Sequence, residues 1–209
     1  MKKIVNLIIA ISILATPAIA QTDASAKKIL DAVSAKLKTY KGISANFSMT
    51  TKGRTGKINN NSTGKIAIKG NKYYIKQGTT EIFNDGNKTW NYNGNDEVTV
   101  TDGDVDGEAL TPQRLLSDFY DKDFTYKLVS TGANFHEIQM TPVDKRKNFQ
   151  RVNIFVDKTK MMVTKARVLD KSNNTTEFNL SNIITNAGIA DNTFVFDAKK
   201  YKKRIEVIE

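Results

Sequence analysis

At Gly42 the hydropathy of the chain changes period, and that change constrains the fold more than any other feature of the sequence. Upstream, in "DASAKKILDAVSAKLKTYKG", Ile29, Leu30, Val33, Leu37 and Tyr40 recur at helical spacing while Lys27, Asp31, Lys38 and Lys41 face away. Asp23 or Ser25 can cap the start of this helix, and Gly42 supplies its stop. Downstream the period is two. Ile43, Ala45, Phe47 and Met49 alternate with Ser44, Asn46, Ser48 and Thr50, the pattern of a strand with one buried face.

The alternation then repeats at hairpin spacing. After the Gly- and Asn-rich "KGRTGKINNNSTG" it resumes with Ile66 and Ile68, turns at Gly70-Asn71, and continues with Tyr73 and Ile75. Ile82 with Phe83, Trp90 with Tyr92, and Val98 with Val100 follow, separated by the turn pairs Asp85-Gly86 and Asn93-Gly94. A polar stretch, "TDGDVDGEALTPQRLLSDFY", interrupts; Thr111 caps and Pro112 opens a short helix that presents Leu115, Leu116 and Phe119. Strands return at Phe124 to Leu128, Ile138 to Met140, Val152 to Val156, Met162 to Val168, Thr176 to Leu180 and Thr193 to Phe196, with Asp170 to Asn173 as a hairpin turn.

Nothing repeats at a fixed period and no Pro- or Ser-rich linker divides the chain. The expected class is α+β, mainly β: one large, curved antiparallel sheet with a few helices, in a single domain over residues 21–209. Two helices are too few to cover about eleven strands. A curved sheet with an under-filled concave side makes a groove, and apolar grooves are ligand sites. From periodicity alone, however, Trp90, Tyr92, Tyr73 and Phe47 read first as core.

Other features bound the function. Lys2 and Lys3, the apolar run Ile4 to Leu14 and Ala18-Ile19-Ala20 have the form of a signal peptide, residues 1–20, cleaved after Ala20. Its apolar run falls short of the roughly 20 residues of a membrane span. Cysteine is absent, which removes disulfides, thiolate metal sites and cysteine nucleophiles together. The formal charge of +10 suits an anionic membrane surface or an acidic partner, and export argues against nucleic acid. Its densest segments, Lys145-Arg146-Lys147 and Lys199 to Arg204, read first as solvated surface. The single histidine, His136, has no partner for a zinc helix, and no G-x-S-x-G elbow or Gly-rich phosphate loop occurs. Asp102, Asp104, Asp106 and Gly107 match half a calcium loop, but Gln113 stands where a bidentate Glu is required, so no metal is expected. No catalytic residue and no cofactor is expected either.

Five segments then carry a resemblance in order along the chain. They are "ISANFSMT" at Ile43 to Thr50, "DGNKTWNY" at Asp85 to Tyr92, "LTPQRLL", "IQMTP" at Ile138 to Pro142, and "DNTFVFD" at Asp191 to Asp197. Together they resemble the landmarks of the LolA family, periplasmic carriers that take lipoproteins from the inner to the outer membrane, over essentially all of the mature chain. The resemblance implies an unclosed half β-barrel of about eleven strands, its hollow lidded by the N-terminal helix and short central helices. On the sheet it implies an acyl-chain cavity lined by Phe47, Ile66, Ile68, Tyr73, Ile75, Met140 and Ile154, with Trp90 and Tyr92 facing the chains or the lid. Leu115, Leu116 and Phe119 would belong to the lid.

Family members carry an Arg-Pro pair whose Arg bonds the lid shut. Lys69-Gly70-Asn71 stands in its place, so Lys69 becomes the candidate latch, without a guanidinium's planar fork. The implied partners are acylated lipoproteins as cargo, an inner-membrane lipoprotein-releasing ABC transporter, and an outer-membrane acceptor or the membrane itself; a monomer is expected. The alternatives are a periplasmic lipid-binding or lipid-sensing module of the same fold and, from another class, a secreted enzyme built on it.

Overall fold

The computed structural model describes residues 23–103 and 123–209. Helix α1 (Ala24–Lys38) forms where the apolar stripe predicts it and buries Ala26, Leu30 and Val33. Asp23 is its cap: the carboxylate accepts from Ser25 N at 2.8 Å and Ala26 N at 3.3 Å, two amides that the first turn leaves without partners. Gly42, just past the helix, is required by a close approach, since a Cβ there would lie 2.7 Å from the Ala187 carbonyl oxygen.

Twelve strands follow: β1 (Ile43–Lys52), β2 (Ile58–Lys69), β3 (Lys72–Gln77), β4 (Thr80–Asn84), β5 (Lys88–Tyr92), β6 (Glu97–Asp102), β7 (Phe124–Thr131), β8 (Phe135–Pro142), β9 (Phe149–Asp157), β10 (Met162–Asp170), β11 (Thr175–Thr185) and β12 (Glu206–Ile208). They form one sheet in the order β12-β6-β5-β4-β3-β2-β1-β11-β10-β9-β8-β7. Pairing is antiparallel throughout except between β12 and β6. The sheet ends at β12 and β7 and does not close, so the expected half-barrel is what forms. A bulge helps to bend it. The β1–β11 register slips between Ser44 and Asn46, and Asn182 takes φ 49°, a left-handed conformation that asparagine tolerates better than most residues.

Three sequence expectations change. Thr193 to Phe196 is not a strand: Asp191–Phe194 is a 3-10 turn, because Phe194 is drawn down into full burial. The basic side chains from Lys199 to Arg204 are exposed, as read, but beyond them the chain adds a strand that no alternation announced, β12. Strand β2 begins at Ile58 rather than near Ile66, its Asn-rich start paired with β1 as Asn60 with Thr51 and Asn61 with Thr50. Those side chains are exposed, so backbone pairing sets the strand and no hydropathy pattern announces it. The helix expected at Pro112 lies outside the described residues, as do the signal peptide and Asp104 and Asp106 of the calcium-loop reading.

Register assigns each side chain to a face. Residues directly opposite in an antiparallel pair point the same way, so Ile68 with Tyr73, Ile66 with Ala45 and Ile75, Phe47 with Leu180, Ala166 with Phe178 and Ile154, and Ile154 with Ile138 share one face. This inner face is the one that α1 packs on, and its residues join the helix in one cluster. On the outer face Tyr74 stands opposite Phe83, Phe83 opposite Trp90, and Trp90 opposite Val100. Tyr92 lies between Glu81 and Val98 on that same face.

Candidate functional site

The inner face is an apolar surface that continues from β3 through β2, β1, β11, β10, β9 and β8 to β7. Of the sheet residues expected in the cavity, Phe47, Ile66, Ile68, Tyr73, Ile75, Met140 and Ile154 are all brought together here, each buried. Gly64 makes room for one of them: a Cβ there would meet the Phe47 ring at 2.4 Å, so the ring lies directly over the glycine.

Helix α1 closes part of this face. It starts against β7, where Asp23 N donates to the Tyr126 carbonyl at 3.1 Å and the Asp23 carboxylate accepts from Leu128 N at 3.0 Å. The carboxylate therefore caps the helix and fastens it to the sheet's terminal strand at once. The Leu128 amide, followed by Ser25 and Ala26, holds the Asp23 carboxyl below its ordinary pKa. The helix then leads through Gly42 into the first residue of β1.

Among the described residues, the face is open at the other end of the same strands. There Met49 and Thr51 of β1, Phe149 of β9, Val168 and Asp170 of β10, and Thr176 and Phe178 of β11 line a cavity of about 390 Å³, with Asn148 and Ser172 on its rim turns. That volume falls in the range of ligand pockets, roughly 300–1,000 Å³. Met49 was legible as part of the β1 alternation, but Phe149, Val168 and Phe178 were not singled out. Counting register across the β10–β11 hairpin would have placed Val168 and Phe178 on the face of Phe47.

Trp90 and Tyr92 are not part of this surface. They lie on the outer face, where Tyr92 packs against Tyr201 at 4.5 Å between ring centroids and against Phe196 at 5.9 Å, and Phe196 stacks on Tyr201 at 5.2 Å. Phe196 also meets Phe83 edge-on. The aromatic alternation at Trp90 and Tyr92 therefore serves a second core, built with the arm that follows β11. The parity of the turns carries the missed signal: Gly78-Thr79 sets Gln77 opposite Thr80, and counting from there puts Asn84 and Thr89, not Phe83 and Trp90, beside Tyr73.

A buried carboxylate fastens this arm. Glu81, 8% exposed, accepts from Tyr201 Oη at 2.6 Å on one oxygen and from Tyr74 Oη and Lys76 Nζ on the other. Burial pushes its pKa up, but the bonds from Tyr201, Tyr74 and Lys76 outweigh burial and hold it below the ordinary value. Burial and the adjacent carboxylate raise both tyrosines, which stay protonated donors. Lys69 belongs to the same fastening. It follows inward-facing Ile68 and so points outward, where its amine donates to the Ile189 carbonyl at 3.3 Å and the Asp191 carboxylate at 3.2 Å. Among the described residues Lys69 thus ties down the arm and makes no bond to α1. Leu115, Leu116 and Phe119 lie outside the described residues.

The family model that matches this chain is that of the outer membrane lipoprotein carrier protein LolA, over residues 38–197. No curated protein matches the chain. Among solved structures, an uncharacterised conserved protein from Thermus thermophilus aligns with a TM-score of 0.58 at 11% identity, covering 88% of this chain and 98% of that one. The Pseudomonas aeruginosa MucA/MucB complex aligns with a TM-score of 0.50 at 16% identity, over 84% of this chain and 62% of that one. A LolA superfamily protein from Nitrosomonas europaea gives 0.47 at 12% identity, over 82% of this chain and 97% of that one.

Proposed function

This chain belongs to the LolA family of outer membrane lipoprotein carriers, and from that premise we propose that it is a periplasmic carrier that shields the acyl chains of lipoproteins on its inner face. The observation that carries the reading is the inner face itself: an unbroken apolar surface, closed among the described residues by one 15-residue helix, and open to a cavity of about 390 Å³ at the far end of the strands. No covalent chemistry is involved. Each methylene withdrawn from water is worth roughly 0.8 kcal/mol, so the acyl chains of a lipoprotein cannot cross an aqueous compartment uncovered.

Release without fuel requires that the covering be imperfect. Leu30 and Val33 of α1 occupy the surface that hydrocarbon would otherwise take. Displacing the helix exposes apolar area and is favoured only when acyl chains replace it, a population shift set by differential binding. The inner-membrane lipoprotein-releasing transporter and an outer-membrane acceptor are the partners this role requires. The aligned Pseudomonas aeruginosa MucA/MucB structure is a complex, which favours a second reading in which this fold docks a protein partner.

Export from the full-length gene and native mass spectrometry of the recovered protein test the carrier reading. The expected spectrum contains adducts of acylated protein or lipid. Met49→Arg, which places a charge in the cavity, removes them while the circular dichroism melt stays cooperative. A wild-type protein that is always empty and takes up no lipid rejects the carrier.

A further inference from the structure

We infer that the open end of the inner face takes an acyl chain joined to an anionic headgroup, with Lys145 and Lys147 meeting the charge. The inference rests on the inner face being an acyl-chain site and adds the chemistry of what the chain carries.

Two turns form one wall of the cavity mouth. Asn148, on the β8–β9 connection, and Ser172, on the β10–β11 turn, both line it. The two turns are bound into a unit: Lys171 N donates to the Asn148 carbonyl at 3.1 Å, and Lys171 Nζ donates to the carbonyls of Lys145 at 2.7 Å and Arg146 at 3.4 Å. This wall carries the cations Lys145, Arg146, Lys147 and Lys171 against two carboxylates, Asp144 and Asp170. Both carboxylates are already engaged. Arg146 grips Asp144 through Nε and Nη2, holding its pKa down at about 2, and Asp170 accepts from the amide and side chain of Asn174, each at 2.8 Å. Lys145 and Lys147 make no ion pair among the described residues and sit on the connection that brings Asn148 to the cavity rim.

The connection that follows Thr51, between β1 and β2, has the same sign, with Arg54 and Lys57 and no acidic residue. The next carboxylate on β11, Glu177, is held by Lys165 and Arg167 at 3.0 and 3.2 Å and does not offset this charge. Thr51, Thr176 and Ser172 add hydroxyl groups to the cavity lining. Ser62 pairs with Met49 on the inner face, and its hydroxyl is buried without a hydrogen-bond partner among the described residues. The cavity thus joins apolar side chains to hydroxyls next to a connection that carries two ammonium groups, a composition that suits the acyl chain, ester and phosphate of an anionic glycerolipid.

Short-chain lipids that dissolve as monomers test this by titration calorimetry at low salt. The probes are dioctanoylphosphatidylglycerol, dioctanoylphosphatidylcholine and glycerol 3-phosphate. Exposed ion pairs contribute modestly, so two of them predict about a ten-fold preference for phosphatidylglycerol over phosphatidylcholine. Added salt weakens it. Lys145→Glu with Lys147→Glu brings the ratio to one or below, and the Lys→Arg pair retains it. Glycerol 3-phosphate, lacking the chain, does not bind. Equal affinity of the wild type for both lipids overturns the headgroup assignment and leaves the acyl site standing. Glycerol 3-phosphate binding as tightly as phosphatidylglycerol overturns the requirement for a chain. Failure of both lipids to bind takes down the acyl site, and the headgroup assignment with it.

Discussion

One hydrogen-bonded sheet carries two hydrophobic layers, on opposite faces and finished to different standards. Strands β1 to β3 and β7 to β11 bury their apolar side chains on the inner face, under α1. Apart from Ile82, which packs on the inner cluster, strands β4 to β6 bury theirs on the outer face, where Phe83 and Tyr92 meet Phe196 and Tyr201 of the C-terminal arm. The change of face falls at β3, where Tyr73 faces inward and its neighbour Tyr74 faces outward against Phe83. The outer layer is sealed by stacked rings and a buried carboxylate with three donors, polar contacts that hold one arrangement and resist others. The inner layer is joined by apolar contacts and, among the described residues, opens at one end. Such contacts are non-directional, and hydrocarbon can replace them. The contrast assigns rigidity to one half and exchange to the other.

If the outer half is a structural clamp, its anchor should matter most. Phe194 is fully buried, and Phe194→Ala should cost about 3–5 kcal/mol, the usual penalty for truncating a buried aromatic. Hydrogen exchange decides where the loss falls. Amides of β4 to β6 and β12 should lose protection first, with β9 to β11 holding longer. Equal loss in both halves would make the sheet one cooperative unit and erase the distinction.

Much of this was legible from sequence, and the part that was not has a common cause. Alternation found α1 and most strands, because hydropathy period reflects how a segment is buried. Phe47, Ile66, Ile68, Tyr73, Ile75, Met140 and Ile154, named together through the family resemblance, do share one face of the sheet. Alternation reports that a strand has an apolar face but not which side of the sheet that face takes. Trp90 and Tyr92 were therefore grouped with Tyr73, though register through Gly78-Thr79 sends them the other way. Lys69 and Glu81 were opaque for a related reason. Their partners, Asp191 and Tyr201, lie more than a hundred residues away in the chain, and no local spacing encodes such a pairing.

Glu81 sharpens the comparison at the level of charge. Glu81→Gln keeps the shape but loses the ionised acceptor of Tyr201, Tyr74 and Lys76, which should cost about 1–3 kcal/mol. The pH dependence carries the sign. The folded carboxyl lies below its ordinary value of 4.5, so its stabilisation is complete above that value and is lost as pH falls through the folded pKa. Wild-type stability should drop more steeply than that of Glu81→Gln below about pH 4.5, and the earliest acid exchange should appear in β4 to β6. Parallel acid profiles for the two proteins would mean that Glu81 does not carry the clamp's charge.

The smallest effect belongs to the lysine that sequence reading assigned to the lid. Lys69 and Lys72 both reach Asp191, at 3.2 and 3.1 Å, but all three side chains are a third or more exposed. Ion pairs so placed are screened and contribute little. Lys69→Gln with Lys72→Gln should leave the melting temperature almost unchanged, and 0.5 M salt, on the order of a few times physiological strength, should abolish what difference remains. The double variant should also leave α1 exchange untouched, because its contacts lie on the outer face and the helix lies on the inner one. Faster exchange in α1 would restore Lys69 as a latch acting through the sheet, and would mean that the two faces communicate more strongly than their separate packing implies.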